Sequence, residues 1–201
     1  MSEQESFWRG EFGDSYTERN SRIDQHQSNL FFWSKIISLA GPLHNVLELG
    51  CNRGLNLDAI KILSRNTTTF GVEINQQAAD KAAQSHQVFN KSLGDNISGL
   101  PVADLTFTSG VLIHINPDML PVVYDKLYSY SSKYIMIKEY FSTQPQEITY
   151  RGHESRLWKR DFASELWKDR NLKLIDYGFC WRYDPVAPQD DLNWFLFEKL
   201  E

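Results

Sequence analysis

The chain has 201 residues, 41% hydrophobic and 23% charged, with a formal net charge of −5. A chain of this length buries roughly 70% of its unfolded surface, so it needs no staple to fold, and its acidic balance argues against a polyanion such as DNA or RNA as partner. Cys51 and Cys180 belong to no CxxC pair, so no zinc site, other metal centre or disulfide framework is expected. With no signal-peptide core, lipidation motif or membrane-length apolar run, a cytoplasmic location without membrane contact is expected.

Residues 1–20 hold Phe7, Trp8, Phe12 and Tyr16 among Arg9, Glu11, Asp14, Glu18 and Arg19. That is too aromatic for a disordered tail, and the segment is expected to pack, either as a lid over a ligand site or as cover for a sheet edge. Residues His26–Leu39 repeat apolar side chains at helical spacing, and Gly41-Pro42 ends that helix. Asn45–Gly54, NVLELGCNRG, reads as a short apolar strand entering a glycine turn, and Leu55–Leu63 continues as a helix. A second strand is predicted at Thr68–Ile74, a helix at Asn75–Gln84, a weak strand at Gln87–Asn90 and a stronger one at Asp104–Gly110.

Asn116-Pro117 starts the next helix, with Asn as cap, Pro at the first position and Asp118 in the first turn. Tyr134–Ile137 is a fifth strand, and Phe141–Trp158 reads as a long loop with Pro145, Gly152 and clustered Tyr, Arg and His. A helix at Asp161–Lys168 then precedes strands at Leu172–Phe179 and Trp194–Lys199, which have no helix between them and suggest an antiparallel pair. Strands alternating with helices predict an α/β fold with a doubly wound, mostly parallel sheet. One domain is expected over residues 1–201: an N-terminal segment at 1–40, a ligand-binding core at 45–140, and a second binding loop with closing strands at 141–201.

The glycine turn carries the chemistry. A buried strand that runs through glycines into a helix presents backbone N–H groups to a ligand. Gly50 and Gly54 lack the G-x-G-x-x-G spacing of dinucleotide sites and the Lys-Ser/Thr of a phosphate loop, so the turn suits a ligand without a pyrophosphate. Glu48, two residues before the first glycine, accepts from an amine better than it tolerates a phosphate. Glu73 ends the second strand about twenty residues on, at the distance that suits two ribose hydroxyls. The residues therefore point to a nucleoside carrying an amino-acid-like group.

ELGCNRG followed by GVEIN and then DLTFTSGVLIHI resembles the class I S-adenosylmethionine-dependent methyltransferases. FWRGEFGDSYTERN, TSGVLIHINPDMLPVVYDKLY, YRGHESRLWKRDFASEL and DDLNWFLFEK, spread over nearly the whole chain, resemble the pseudaminic acid biosynthesis-associated methylase family. The resemblance implies a Rossmann-like seven-stranded sheet with its last strand inserted antiparallel, and S-adenosyl-L-methionine as cofactor. Carried over by position, Glu48, Gly50, Asn52 and Gly54 line the methionine part, and Glu73 binds the ribose. Ser92 sits near adenine, and Ser109 and Gly110 form the floor beneath the sulfonium. Arg19, if the N-terminal segment folds back, and Arg53 are candidates for the cofactor carboxylate.

Methyl transfer needs a base only when the nucleophile arrives protonated, and His114 and Glu139 are the two candidates. The acceptor site is expected in the loop after the fifth strand, where Tyr150, Arg151, His153 and Arg156 follow Tyr140, with Trp181, Arg182 and Tyr183 as a further wall. This inventory suits a small anionic, hydroxylated acceptor such as a nonulosonic acid or a nucleotide-linked sugar. Each of these residues has a plain alternative as a cap, packing group or solvated charge. The competing functions are an RNA methyltransferase, disfavoured by charge and by the absence of an N/D-P-P-aromatic stretch, and a non-catalytic S-adenosylmethionine-binding module. A nicotinamide dehydrogenase is disfavoured by the glycine spacing.

Overall fold

The computed structural model describes residues 3–19 and 23–200, except for the side chains of 19 and 23–25. Three helices come first: α1 (Glu3–Arg9), α2 (Glu11–Arg19) and α3 (Ile23–Ala40). Then follow β1 (Asn45–Leu49), α4 (Leu55–Leu63), β2 (Thr68–Glu73), α5 (Gln76–Ala82), β3 (Gln87–Asn90) and β4 (Ala103–Ser109). Two short 3-10 turns, Leu112–His114 and Pro117–Met119, lead to α6 (Leu120–Ser129) and β5 (Ser131–Glu139). The chain finishes with β6 (Gln146–Tyr150), β7 (His153–Lys159), α7 (Phe162–Trp167), β8 (Leu172–Phe179) and β9 (Asn193–Lys199).

Seven strands form one sheet in the order β3-β2-β1-β4-β5-β9-β8. The first five run parallel, and β9 lies antiparallel between β5 and β8. Val46, Leu47, Leu49, Val72, Leu105 and Phe107 are all inaccessible to solvent, as expected for parallel strands covered on both faces. One face packs on α3 and α4 through Trp33, Ile36, Leu57, Ile60, Phe107 and Met136. The other packs on α6 and α7 through Leu49, Leu127, Ile135, Ile137 and Leu166. The order reverses between β1 and β4, and the ends of β1, β2, β4 and β5 therefore open a crevice at the switch point.

Local chemistry sets the element ends. Asn75 caps α5 by accepting from the Ala78 N–H, and Asp161 caps α7 by accepting from that of Ser164. Asn116 accepts from the Asp118 N–H at the turn before α6. The predicted long loop Phe141–Trp158 is instead largely the β6–β7 hairpin, a two-stranded ribbon apart from the main sheet. Its turn is Arg151-Gly152, both at positive φ, the geometry of a two-residue hairpin. The ribbon is mostly solvent-exposed, so its strands lack the apolar alternation by which a strand is read. β5 begins three residues earlier and ends two later than its apolar run Tyr134–Ile137, because Ser131, Lys138 and Glu139 are polar yet buried.

Phe107 has no exposed surface, and its ring lies 4.5 Å from that of Trp33, joining the sheet to α3. Phe107→Ala should cost about 3–5 kcal/mol of stability. Urea denaturation should show this as a lower midpoint with an unchanged slope.

Candidate functional site

The turn after β1 is held by its backbone. The N–H groups of Gly50 and Cys51 both donate to the Val72 carbonyl on β2, at 2.8 and 3.0 Å, and Gly54 donates to the Cys51 carbonyl. Gly50 stands at φ 81, and a Cβ there would lie 2.6 Å from a Val111 methyl; only glycine fits both constraints. Asn52 also takes positive φ, which aims its N–H at Glu73 Oε2, 2.7 Å away. Glu73 Oε1 accepts from the Asn75 N–H at 2.8 Å. One carboxylate thus ties the β1–α4 turn to the β2–α5 turn.

Above this junction lies a cavity of about 620 Å³. Glu48, Gly50, Asn52, Arg53, Glu73, Ser92, Ser109, Gly110 and His114 all line it, so most residues singled out in the sequence meet at one place. Gly54 does not line it. It begins α4 in the left-handed region, and a Cβ there would strike the His86 ring, so its part is to close the turn. The Arg19 side chain lies outside the described residues.

Glu48 is buried, and its Oε1 accepts from Asn56 Nδ2 at 2.7 Å while Oε2 has no partner. Burial pushes its pKa from 4.5 to about 8, although the Asn56 bond pulls the other way. Burial also raises Glu73, against the opposing pull of its backbone donors. Lys138, missed in the sequence, lines the cavity although it is only 3% exposed. Its Nζ donates to Gln189 Oε1 at 3.0 Å and lies 4.2 Å from the Phe32 ring, and burial lowers its pKa.

His114 donates from Nδ1 to the Arg156 carbonyl at 2.7 Å, since a carbonyl only accepts; Nε2 is therefore the ring's acceptor. Burial depresses its pKa to about 4, so the ring is neutral near pH 7. Glu139 stands elsewhere. Its carboxylate accepts from the N–H groups of Val111 and Ile113 and fixes the turn that carries His114, and it does not line the cavity. Adjacent residues on a strand face opposite ways, so when Lys138 takes the α3 face, Glu139 takes the other. Burial raises the Glu139 pKa to about 7.

Tyr140, Tyr150, Arg151, His153 and Arg156, expected to bind an acceptor, do not line the cavity either. The hairpin carrying most of them seats the N-terminal helices. Phe7 and Phe12 pack on His153 at 5.0 and 5.6 Å, Phe12 meets Tyr150, and Arg156 pairs with Glu3. Helices α1 and α2 form the roof instead. Gln4, Glu5, Trp8 and Tyr16 line the cavity, Gln4 Nε2 donates to the His114 carbonyl, and Ser92 Oγ donates to Glu5. The Trp8 ring lies 4.7 Å from that of His114, tilted at 54°, and its indole N–H has no partner. Of the closing loop, Arg182 and Gln189 reach the cavity, whereas Trp181 and Tyr183 are exposed away from it. The aromatic content of residues 1–20 was the signal for the roof; nothing local marked Lys138 or Gln189.

A carboxyl with a raised folded-state pKa holds its proton more tightly folded than unfolded. The stability Glu48 contributes is whole below 4.5 and is lost as pH rises through about 8. The unliganded protein should therefore lose stability between pH 5 and 8, on the order of a few kcal/mol. Glu48→Gln should make that slope shallower in thermal melts, without abolishing it, because Glu139 titrates in the same range.

Among the described residues no group of three His, Cys, Asp or Glu is placed to hold a metal ion, and no helix is long and apolar enough to cross a membrane. No protein-family model matches the sequence, and no curated protein is significantly similar to it. Solved structures do match its fold. The magnesium protoporphyrin IX methyltransferase of Synechocystis with bound S-adenosylmethionine aligns over 100% of this chain and 99% of its own, at TM-score 0.68 and 12% identity. The 1,6-didemethyltoxoflavin-N1-methyltransferase of Burkholderia thailandensis, with S-adenosylhomocysteine bound, aligns over 98% and 87%, at TM-score 0.72 and 14% identity. A S-adenosylmethionine-dependent methyltransferase from Clostridium acetobutylicum aligns over 94% and 98%, at TM-score 0.65 and 13% identity. This chain has the fold those methyltransferases share.

Proposed function

We propose that this protein transfers the methyl group of S-adenosylmethionine to a small, hydroxylated, anionic acceptor such as a nonulosonic acid or a nucleotide-linked sugar. The observation that carries the cofactor is Glu48: a buried carboxylate with one unpartnered oxygen, lining a cavity over a glycine turn that lacks phosphate-binding features. An ammonium is the group that such an oxygen lacks. Glu73 fits the ribose, since its carboxylate lines the cavity, is fixed by the Asn52 and Asn75 N–H groups and has acceptor capacity left for a hydroxyl. Ile74, Ser92 and Leu93, beyond it, offer an apolar and hydroxylic slot of the kind a base occupies. The structural neighbours with S-adenosylmethionine or S-adenosylhomocysteine bound support the same reading.

The bound cofactor supplies an electrophilic methyl on a sulfonium; the chain supplies orientation, a proton acceptor and exclusion of water. Ser109 and Gly110 form the floor, and α1 and α2 close the roof with Trp8 and Tyr16. His114 is neutral, held by Arg156 and by Glu139 through the turn, and presents Nε2 as acceptor for the hydrogen of an attacking hydroxyl. The anionic acceptor is supported by the resemblance of the motif strings to pseudaminic acid biosynthesis-associated methylases and by Arg182 at the cavity wall, which pairs with Asp191 at 2.7 Å. Mass spectrometry of acidic sugars and nucleotide sugars incubated with protein and cofactor should find one added methyl. Failure across that panel sinks the acceptor assignment, and failure of wild type to bind S-adenosylhomocysteine in calorimetry sinks the cofactor.

Glu73→Ala should weaken S-adenosylhomocysteine binding by about 1.5–3 kcal/mol for each charge-assisted bond lost. Unchanged affinity would remove Glu73 from the ribose site. His114→Ala should lower kcat with little change in cofactor affinity. Because burial holds His114 near 4, the wild-type rate should gain its deprotonated-histidine limb around pH 4, with no inflection near 6.5 from this residue.

A further inference from the structure

Two of the most deeply buried ionisable side chains in the cavity wall are a carboxyl and an amine, and they do not hydrogen-bond to each other. Glu48 on β1 is 1% exposed and Lys138 on β5 is 3% exposed, and both line the same cavity. They lie on one face of the sheet: Glu48 stands opposite Phe107 on β4, and Ser109, two residues on, stands opposite Lys138. The strands are two spacings apart, roughly 10 Å. Among the ion pairs of the described residues, none joins these two. Glu48 Oε2 has no partner, and the Lys138 ammonium, which has three hydrogens, has one hydrogen-bond acceptor, the neutral Gln189 side chain. Gln189 is held in turn by Asn29 of α3 at 3.3 Å, so the lysine is fixed in place rather than left to swing to solvent.

Each buried charge is costly alone, and here the obvious remedy of a mutual salt bridge is not taken. A ligand that carries both charges on adjoining atoms satisfies both side chains at once. An α-amino acid group is that ligand. Dicarboxylates, diamines and phosphates each leave one of the two unmatched.

We propose that Glu48 and Lys138 form a receptor for an α-amino-acid zwitterion, with Lys138 as the counter-charge for the carboxylate of the cofactor's methionine part. The assignment rests on the cofactor reading above. It adds a residue on the sheet itself to the candidates Arg19 and Arg53, of which Arg53 lines the same cavity. It also makes Lys138 a specificity residue: a nucleoside with the amine but no carboxylate gains nothing from the buried ammonium and binds more weakly than one that carries both groups. Burial lowers the Lys138 pKa and raises that of Glu48, and the attraction between the two opposes both shifts without cancelling them.

Calorimetry with three ligands tests this. S-adenosylhomocysteine carries the whole zwitterion, decarboxylated S-adenosylmethionine only the amine, and methylthioadenosine neither. Lys138→Met should weaken S-adenosylhomocysteine about 10- to 100-fold and leave the other two unchanged. Glu48→Gln should weaken both amine-bearing ligands and spare methylthioadenosine. Unchanged methylthioadenosine binding also shows that each variant is folded around the nucleoside site. The proposal is overturned if Lys138→Met leaves S-adenosylhomocysteine unchanged, or weakens it and methylthioadenosine alike. A wild type that binds none of the three overturns the cofactor reading, and this assignment with it.

Discussion

Glu73 makes the junction on which the rest of the site depends. Its two oxygens take the N–H groups of Asn52 and Asn75, so one buried carboxylate fixes the entry to two helices. Asn52 can offer that N–H because its backbone is at positive φ, and the turn reaches this conformation because Gly50 fits where a Cβ would strike Val111. Asn75 in turn caps α5 and reaches out from Nδ2 to the Trp8 carbonyl and to Asp14. The chain of bonds thus runs from the glycine turn through Glu73 and Asn75 to the N-terminal helices. Every link is 3.2 Å or shorter, and all are buried or part-buried.

The roof is fastened on both sides of the crevice. Asn75 and Ser92 hold it on the β2 and β3 side, and His114, with the β6–β7 hairpin, holds it on the β4 side. These fastenings are a few hydrogen bonds and aromatic edges; the Gln4–His114 bond is buried and those of Asn75 and Ser92 to the roof are part-buried.

Glu139 and Lys138 show how much one register position decides. Both are charged, both are buried and they are adjacent in sequence. Strand geometry sends one to the α3 face, beside Glu48 and Gln189, and the other under the turn of Val111 and Ile113. A reading by residue type and distance from the strand end favours Glu139 as a base. The pleat makes it the support of His114 and gives the cavity to Lys138. The hairpin shows the same: of its Arg, Tyr and His inventory, Tyr150, His153 and Arg156 are engaged by Phe7, Phe12 and Glu3 of the N-terminal helices.

The sequence alone determined the order of the seven strands of the main sheet and the helices between them, the glycine turn, and the places of Glu48 and Glu73, because these rest on local chemistry. Buried parallel strands read as apolar runs, and a left-handed turn calls for glycine or asparagine. The antiparallel closing pair was legible too, from two strands with no helix between them. The tertiary structure alone decided which face each strand-end charge takes, what covers the cavity and what the hairpin does. Those are contacts between residues far apart in the chain, such as Gln4 with His114 or Lys138 with Gln189. No local pattern encodes them, because they arise only once the sheet has set its register and brought its strand ends together.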